Sequence, residues 1–507
     1  SGSSSGFSSG SSSNISTNTS TSGGSSSATS TTTGPDSGGE TSGETNQPTT
    51  TPKLIFKIND QETNLSVKPG VTLLLSWQGA DVSSCLASGA WTGEKKLVGQ
   101  ESFLATKQQQ IFILTCRDTA GATIEKQILV KPITSELGMN LSFFNYYTTS
   151  LPFKNIFRQS MSWRLHDIKT GSNEAYPQNY LDENSYPLTL PAGKFISIGL
   201  LQGAGGHYPA GRYVALFDGA GELNFTGDAS DVSRPDPAIN RYLFTVDQPS
   251  NDGIQLQIRS MSQAIKNIRV MPIEFEFTEA DNPWHPQFLA NLSNFQVLRF
   301  MNWQDASSKI DVISGRAQGA GTKTIVLDAK ASSQDDAYQG MLILVANKNW
   351  DRRLVVAYDG ASRTATVSVP WTDSPAGQDY YLRDYSQRHW SDRNRLSSRR
   401  QDVPKGMAVE LMVDLANRLQ IDPWFTMPTA ASDDYVRQFA RYVKNNLSPE
   451  LKIYLEYSNE TWNANYPGYD YAVARGAELG IGSGAFHAYR ATQIFKIWNE
   501  VFAEDDL

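Results

Sequence analysis

Residues 451–463 read LKIYLEYSNETWN. The carboxyl of Glu460 can protonate a glycosidic oxygen, and the amide of Asn459 can hold the hydroxyl next to an anomeric carbon. The indole of Trp462 can stack on a pyranose face. Such chemistry needs its groups gathered at one place, and a strand end does this. Leu451, Ile453 and Leu455 alternate with Lys452, Tyr454 and Glu456 as a strand does, and the run breaks into Tyr457-Ser458-Asn459-Glu460. Read otherwise, Glu460 caps a following helix, and the residues alone weigh the two equally.

A sugar-cleaving pair needs a second carboxylate. Glu456 shares a face with Glu460, but four residues of strand hold them about 13 Å apart. A retaining pair stands about 5–5.5 Å apart and an inverting pair about 6.5–9.5 Å. Glu456 therefore fails and reads as a buried interior partner. Glu410 falls in mid-helix, and Asp433 and Asp434 read as helix capping.

The elements that would position Glu460 alternate. Gly138-Met139-Asn140-Leu141 is a short strand, followed by an expected helix over Pro152 to Trp163. Pro286 to Asn291 reads as a helix and Phe295 to Phe300 as the second strand. Met407, Leu411, Leu415 and Leu419 stack on one face of a helix, Asp422 to Pro428 is the third strand, and Ser432-Asp433-Asp434 caps a helix to Asn446. Leu451 to Tyr457 is the fourth strand and Gly484 to Ala503 a further helix. Strand and helix in alternation mean a parallel sheet or barrel with its chemistry at the strands' C-terminal ends. Arg299, Asn302, Trp303, Trp424, Asn459 and Glu460 all fall at such ends, which favours the catalytic reading of Glu460. Trp303, Trp390, Trp424 and Trp462 then form a stacking platform for a chain of neutral sugars, with Tyr457 beside them and Arg299 and Asn459 as hydrogen-bonding partners. The competing reading packs two or more of these indoles beneath an inserted module.

The fold class expected is multidomain: all-β immunoglobulin-like and β-sandwich modules plus an incomplete (β/α)8 TIM barrel. Residues 1–52 are mostly Ser, Thr and Gly, which cannot repay their ordering entropy and read as a tether between modules of a secreted protein. Residues 53–133 carry short alternating strands and both cysteines, Cys85 and Cys116, whose pairing as a disulfide implies an oxidising compartment. This segment resembles bacterial immunoglobulin-like modules through Ser76-Trp77, Cys85, Trp91-Thr92-Gly93 and Leu114-Thr115-Cys116. The resemblance implies a spacer or weak binder. Residues 138–165 open the barrel, 166–275 read as a β-sandwich insertion, and 276–308 continue the barrel. In the 166–275 block, turns are expected at Asp218-Gly219 and Asn251-Asp252-Gly253. Residues 309–382 hold four strands and resemble a β-repeat of phage tail and surface proteins through Asp335-Asp336-Ala337-Tyr338-Gln339-Gly340-Met341. This module would hang over the barrel mouth. Residues 383–507 carry the third and fourth strands.

With Arg299 on the second strand and Asn459-Glu460 ending the fourth, the chain resembles the clan A glycoside hydrolases, retaining (β/α)8 barrels. VLRFMNW, AVELMVDLANRL, DPWFTMP and YLEYSNETWN together are similar to a group of secreted bacterial proteins labelled cellulose-binding or glycoside-hydrolase-like. The resemblance implies that Glu460 is the general acid/base. It also implies that the nucleophilic Glu ends a seventh strand beyond Leu507, so that this half barrel is inactive by itself. Thr429 stands where relatives place a His, which puts one substrate contact in doubt. The function implied is a secreted retaining glycoside hydrolase acting on a polysaccharide; the alternative is a non-catalytic carbohydrate-binding or adhesin protein on a barrel scaffold.

The 507 residues carry a net charge of −8 without a basic block, which gives no support to nucleic-acid binding. No run of eighteen apolar residues exists to span a membrane. The chain opens at Ser1 and is expected to be a fragment at that end. The partner expected is a polysaccharide or oligosaccharide, with no cofactor or metal, and the chain is expected to be a monomer, secreted or at the bacterial cell surface.

Overall fold

The computed structural model describes residues 52–503, apart from 107, 134–135, 386 and 403–404. Up to residue 51, the expected tether lies outside the described residues. What is described is multidomain and mostly β.

Alternation builds the N-terminal sandwich. Leu54, Phe56 and Ile58 point inward from Lys53–Ile58, and Leu73, Leu75 and Trp77 from Thr72–Ala80. A three-stranded and a five-stranded sheet close on these side chains together with Trp91 and Phe112. Cys85 and Cys116 are disulfide-bonded, as expected. They lie directly opposite each other in the antiparallel pair Ser84–Gly89 and Gln110–Arg117, with Cα atoms 4.0 Å apart. The bridge thus joins neighbours within one sheet. Closing that loop contributes about 3–4 kcal/mol in the chain-entropy account.

Residues 164–272 form a single antiparallel sheet of seven strands. Two long strands, Gly211–Gly227 and Ile254–Pro272, run side by side, and register shifts between Leu216 and Leu223 bend them. The bend lets Ile196, Leu256 and Phe225 share a core with Tyr213, Phe244 and Val270. Asp218-Gly219 is therefore a bulge inside a strand, not the expected turn. Gly219 sits at φ 103°, where a Cβ would come within 2.1 Å of the Ala264 carbonyl oxygen. The helix expected over Pro152 to Trp163 is only a four-residue 3-10 turn, Ile156–Gln159. Phe153, Lys154, Asn155, Ile156 and Phe157 are all buried, so the segment has no solvent face to give a helix. Its backbone bonds outward instead, Lys154 N to Pro283 O at 2.9 Å and Met161 N to Gly199 O at 2.9 Å.

Four strands, Gly138–Asn140, Val297–Arg299, Asp422–Met427 and Tyr454–Tyr457, make an open parallel sheet in sequence order. Helices α1 (Pro286–Leu292), α2 (Val409–Leu419), α3 (Asp433–Asn446), α4 (Pro467–Leu479) and α5 (Ser483–Ala503) alternate with the strands or follow them. Ser432 caps α3 by accepting a hydrogen bond from Tyr435 N at 3.1 Å. Leu298, Phe425, Met427 and Tyr457 face the helices and share one core with Leu411, Leu415, Phe439 and Trp498. The fourth strand is shorter than its alternation predicts. Leu451 N closes a turn onto Ser448 O at 3.1 Å, and Lys452 N donates to the Asp422 carboxylate at 2.9 Å, which draws both off the ladder. Asp422 is also ion-paired with Lys68, tying the N-terminal sandwich to this end of the sheet.

Between the second and third parallel strands, a seven-stranded antiparallel sheet spans Lys309 to Tyr385. Three of its strands, Lys309–Arg316, Gly319–Ala320 and Asp379–Tyr385, go beyond the four expected. The Asp335-Asp336-Ala337-Tyr338 segment closes a turn. The Asp335 carboxylate accepts from Gly360 N at 2.8 Å, and the Tyr338 hydroxyl accepts from Ser332 N at 2.8 Å.

Candidate functional site

Thr429 draws the ends of the third and fourth strands together. Its hydroxyl is 2.5 Å from that of Ser458, and its carbonyl accepts from the Tyr457 hydroxyl at 2.9 Å. Its own N–H and hydroxyl donate to Ala306 O at 2.8 and 3.1 Å, so the loop after the second strand joins the same knot. The residue that stands in place of the expected His therefore does structural work. It is 2% exposed, and Tyr457 is as deeply buried.

Beyond this knot the chain turns sharply. Ser458 and Glu460 adopt φ of 54° and 48°, left-handed values that cost non-glycine residues energy. Glu460 is half-buried and accepts a hydrogen bond from the Asn463 side chain at 2.8 Å, while Asn463 N donates to Glu460 O at 2.9 Å. Thr461 is 2.7 Å from His487 Nδ1 on α5, and burial holds that imidazole below its usual range. Asn459 is buried, whereas the Trp462 indole is 75% exposed.

Arg299 is committed to a neighbour. Its guanidinium makes a forked ion pair with Glu456, 2.9 Å from Nε and 2.7 Å from Nη2, and lies 5.3 Å from the Trp424 ring centre. The Thr426 hydroxyl adds a further hydrogen bond to Glu456 at 3.1 Å. Arg299, Trp424 and Tyr454 are opposite one another in register, so one face of the sheet presents a row of cation, indole and phenol.

The four indoles do not gather. Trp303 is 3% exposed, is stacked with Trp284 and Phe288, and donates to Ser142 O at 3.0 Å. It belongs to the core against α1. Trp390 packs edge-on to Tyr435 and Phe439 of α3, beneath the Arg393 guanidinium at 4.0 Å. Trp424 lies on the sheet face. Only Trp462 projects freely beside Glu460.

Two features had no place in the sequence reading. Asp305, at φ 50° in the loop after the second strand, has its carboxyl pushed up to about 6, first by burial and further by the charge of Asp402, against a lowering hydrogen bond from Ser308. Nothing in its neighbourhood of sequence signals that burial. The second feature is α4, whose first turn holds Pro467. Asp470 of α4 is 5% exposed and takes Arg352 and Arg383 of the inserted sheet on its two oxygens, with Arg383 Nη1 at 2.5 Å. The Tyr385 hydroxyl donates to Pro467 O at 2.6 Å. These bonds clamp the inserted sheet to the helix that follows Trp462.

Among the described residues no group of three or more His, Cys, Asp or Glu is arranged to hold a metal, and no helix is long and apolar enough to cross a membrane.

No family model matches the sequence, and no curated protein matches it. Among solved structures, chitinase ChiA74 from Bacillus thuringiensis aligns at 13% identity over 41% of this chain and 27% of its own, with a TM-score of 0.12. Carbohydrate-binding modules of the β-sandwich superfamily align at 10% identity over 44% of this chain and 97% of theirs, with a TM-score of 0.15. A 1.5-MDa bacterial ice-binding adhesin aligns at 13% identity over 64% of this chain and 87% of its own, with a TM-score of 0.13. Likenesses this distant carry no argument about what the chain does, and the match spans about a quarter of the chitinase's length.

Proposed function

We propose that this chain belongs to a secreted protein that binds a polysaccharide or oligosaccharide at the C-terminal end of the parallel sheet, without cleaving it. In this reading the four parallel strands are part of a (β/α)8 barrel, and residues 53–133, 166–275 and 309–382 are modules set around it. The observation that carries the reading is Trp462, an indole 75% exposed on a turn pinned through Thr461 and Asn463, next to buried Asn459. An exposed, rigidly presented indole suits a sugar face. The row of Arg299, Trp424 and Tyr454 extends the same chemistry along the sheet. Glu456 is engaged by Arg299 and Thr426, so the carboxylate that precedes Glu460 on its own strand is not free to act as its catalytic partner. The disulfide favours an extracellular setting.

A second reading, retaining hydrolysis with Glu460 as general acid/base, is favoured by the left-handed backbone at that residue, a strain of the kind that clusters at active sites. One set of measurements separates them. The protein is titrated with soluble glucan, xylan and mannan while tryptophan fluorescence is followed, and reducing ends are assayed in the same mixtures. Binding by one glycan, weakened about fivefold in Trp462→Ala (about 1 kcal/mol), is expected without release of reducing ends. Unchanged affinity in that variant would remove the indole from the site. Release of reducing ends that stops in Glu460→Gln would establish hydrolysis instead.

A further inference from the structure

We infer that the cleft between the inserted sheet and the start of α4 is a subsite for an acidic sugar, a uronate residue of the glycan held at Trp462. This rests on the carbohydrate-binding reading and names part of its substrate. The cleft, about 210 Å³, is lined by Lys309, Trp350, Arg352 and Arg383 on one side and by Tyr466 and Asp470 on the other. It is smaller than sites for drug-sized ligands, which run to about 300–1,000 Å³, and fits a single ring. Its wall begins at Ala464, two residues past Trp462, so the two positions are at most about 8 Å apart along the backbone. A glycan stacked on Trp462 can therefore reach the cleft with a neighbouring ring.

The charges and the aromatic ring both point to a carboxylated sugar. Lys309 and Arg383 pair with Asp311, and Arg383 and Arg352 pair with Asp470, so three cations face two carboxylates and one positive charge is left uncompensated. This stands out on a chain whose net charge is −8. Arg352 spends Nε on Asp470 and Nη1 on Trp350 O, and Arg383 spends Nε on Asp311 and Nη1 on Asp470. Among the described residues the Nη2 group of each has no acceptor, which leaves two guanidinium donors for a carboxylate. A clamp between sheet and helix explains the bonds to Asp470 but not Trp350. That residue holds φ 48° and is 48% exposed, stacked on Tyr381 with ring centres 6.4 Å apart. Its outward position makes it the floor on which a pyranose ring can lie while the ring's carboxylate meets the arginines.

The test titrates the whole chain with oligogalacturonate and with a cello-oligosaccharide of equal length. The acidic oligomer is expected to bind about tenfold more tightly, and its advantage should shrink as the screening length falls from about 30 Å at 0.01 M salt to about 10 Å at 0.1 M. Lys309→Glu should remove most of that advantage and leave affinity for the neutral oligomer unchanged, whereas Trp350→Ala, which removes the stacking floor, should weaken both oligomers. Equal affinities for the two oligomers, or Trp350→Ala with full uronate affinity, would overturn the subsite. Trp462→Ala reports on the platform separately: its failure to weaken either oligomer overturns the platform, whatever Trp350 does.

Discussion

The two faces of the parallel sheet are built from alternate residues of the same four strands, yet they have different fates. Leu298, Phe425, Met427 and Tyr457 point at the helices and are buried. Arg299, Trp424, Tyr454 and Glu456 point the other way and stay partly exposed. Parallel sheets ordinarily bury both faces, with near-continuous apolar runs. Here only one face follows that rule. The other holds a forked ion pair, an indole and a phenol. The first face therefore carries the stability of this region, and the second presents the polar and aromatic groups that the proposed binding would use.

The largest test of that division compares adjacent residues. Phe425→Ala should cost about 3–5 kcal/mol in urea unfolding, as for other fully buried aromatics. Trp424→Ala, on the opposite face, should cost no more than about 2 kcal/mol. Equal costs would mean that both faces are core.

The polar side continues into the loop after the second strand, and there pH is the probe. Asp305 titrates at about 6, against 3.8 for an unperturbed aspartate. Between those values the folded chain keeps a proton that the unfolded chain has released. Asp305 therefore makes stability fall as pH rises from about 4 to 6, by on the order of 2–3 kcal/mol, with the loss persisting at higher pH. Asp305→Asn should erase this component and raise the unfolding midpoint at pH 7. A variant whose midpoint matches the parent at both ends of the window would show that the carboxyl titrates normally.

Smaller effects follow for the ion pair. Arg299→Ala leaves Glu456 unpaired in a half-buried position and should cost about 1–2 kcal/mol. Adding Glu456→Gln should recover part of that loss in a double-mutant cycle, and additive losses would dissolve the coupling. Trp462→Ala should change stability least, by under about 0.5 kcal/mol, because the indole is 75% exposed. A larger destabilisation would move Trp462 from the recognition side of the comparison to the structural one.

Much of the covered face was legible in the residues. Leu411, Leu415 and Leu419 predict a buried stripe on α2 and are buried, whereas Met407, expected on the same face, is buried ahead of the helix, which starts at Val409; Ser432 announces the cap it makes. Both rest on spacing of three or four residues, where helix geometry alone decides the contact. The disulfide is legible for a related reason, since two cysteines within one small β-domain leave one pairing to make. The opposite face was less so. Arg299 reads as a free donor until Glu456, 157 residues on, is seen to occupy it. Trp303 reads as a rim indole until Trp284 and Phe288 enclose it.

The sequence by itself thus determined the four parallel strands, the cap that starts α3, the alternation of the strands and the location of Asn459, Glu460 and Trp462 at a strand's end. Each follows from local stereochemistry or hydrophobic period. Only the tertiary structure decided which of the aromatic residues are exposed, that Thr429 ties three loops together, and that Trp350 and Arg352 of an inserted sheet meet Tyr466 and Asp470 across more than a hundred residues of chain. The physical reason is the same in each case. Burial and ion pairing are properties of the partner as much as of the residue, and no local pattern specifies a partner brought near by the folding of a distant segment.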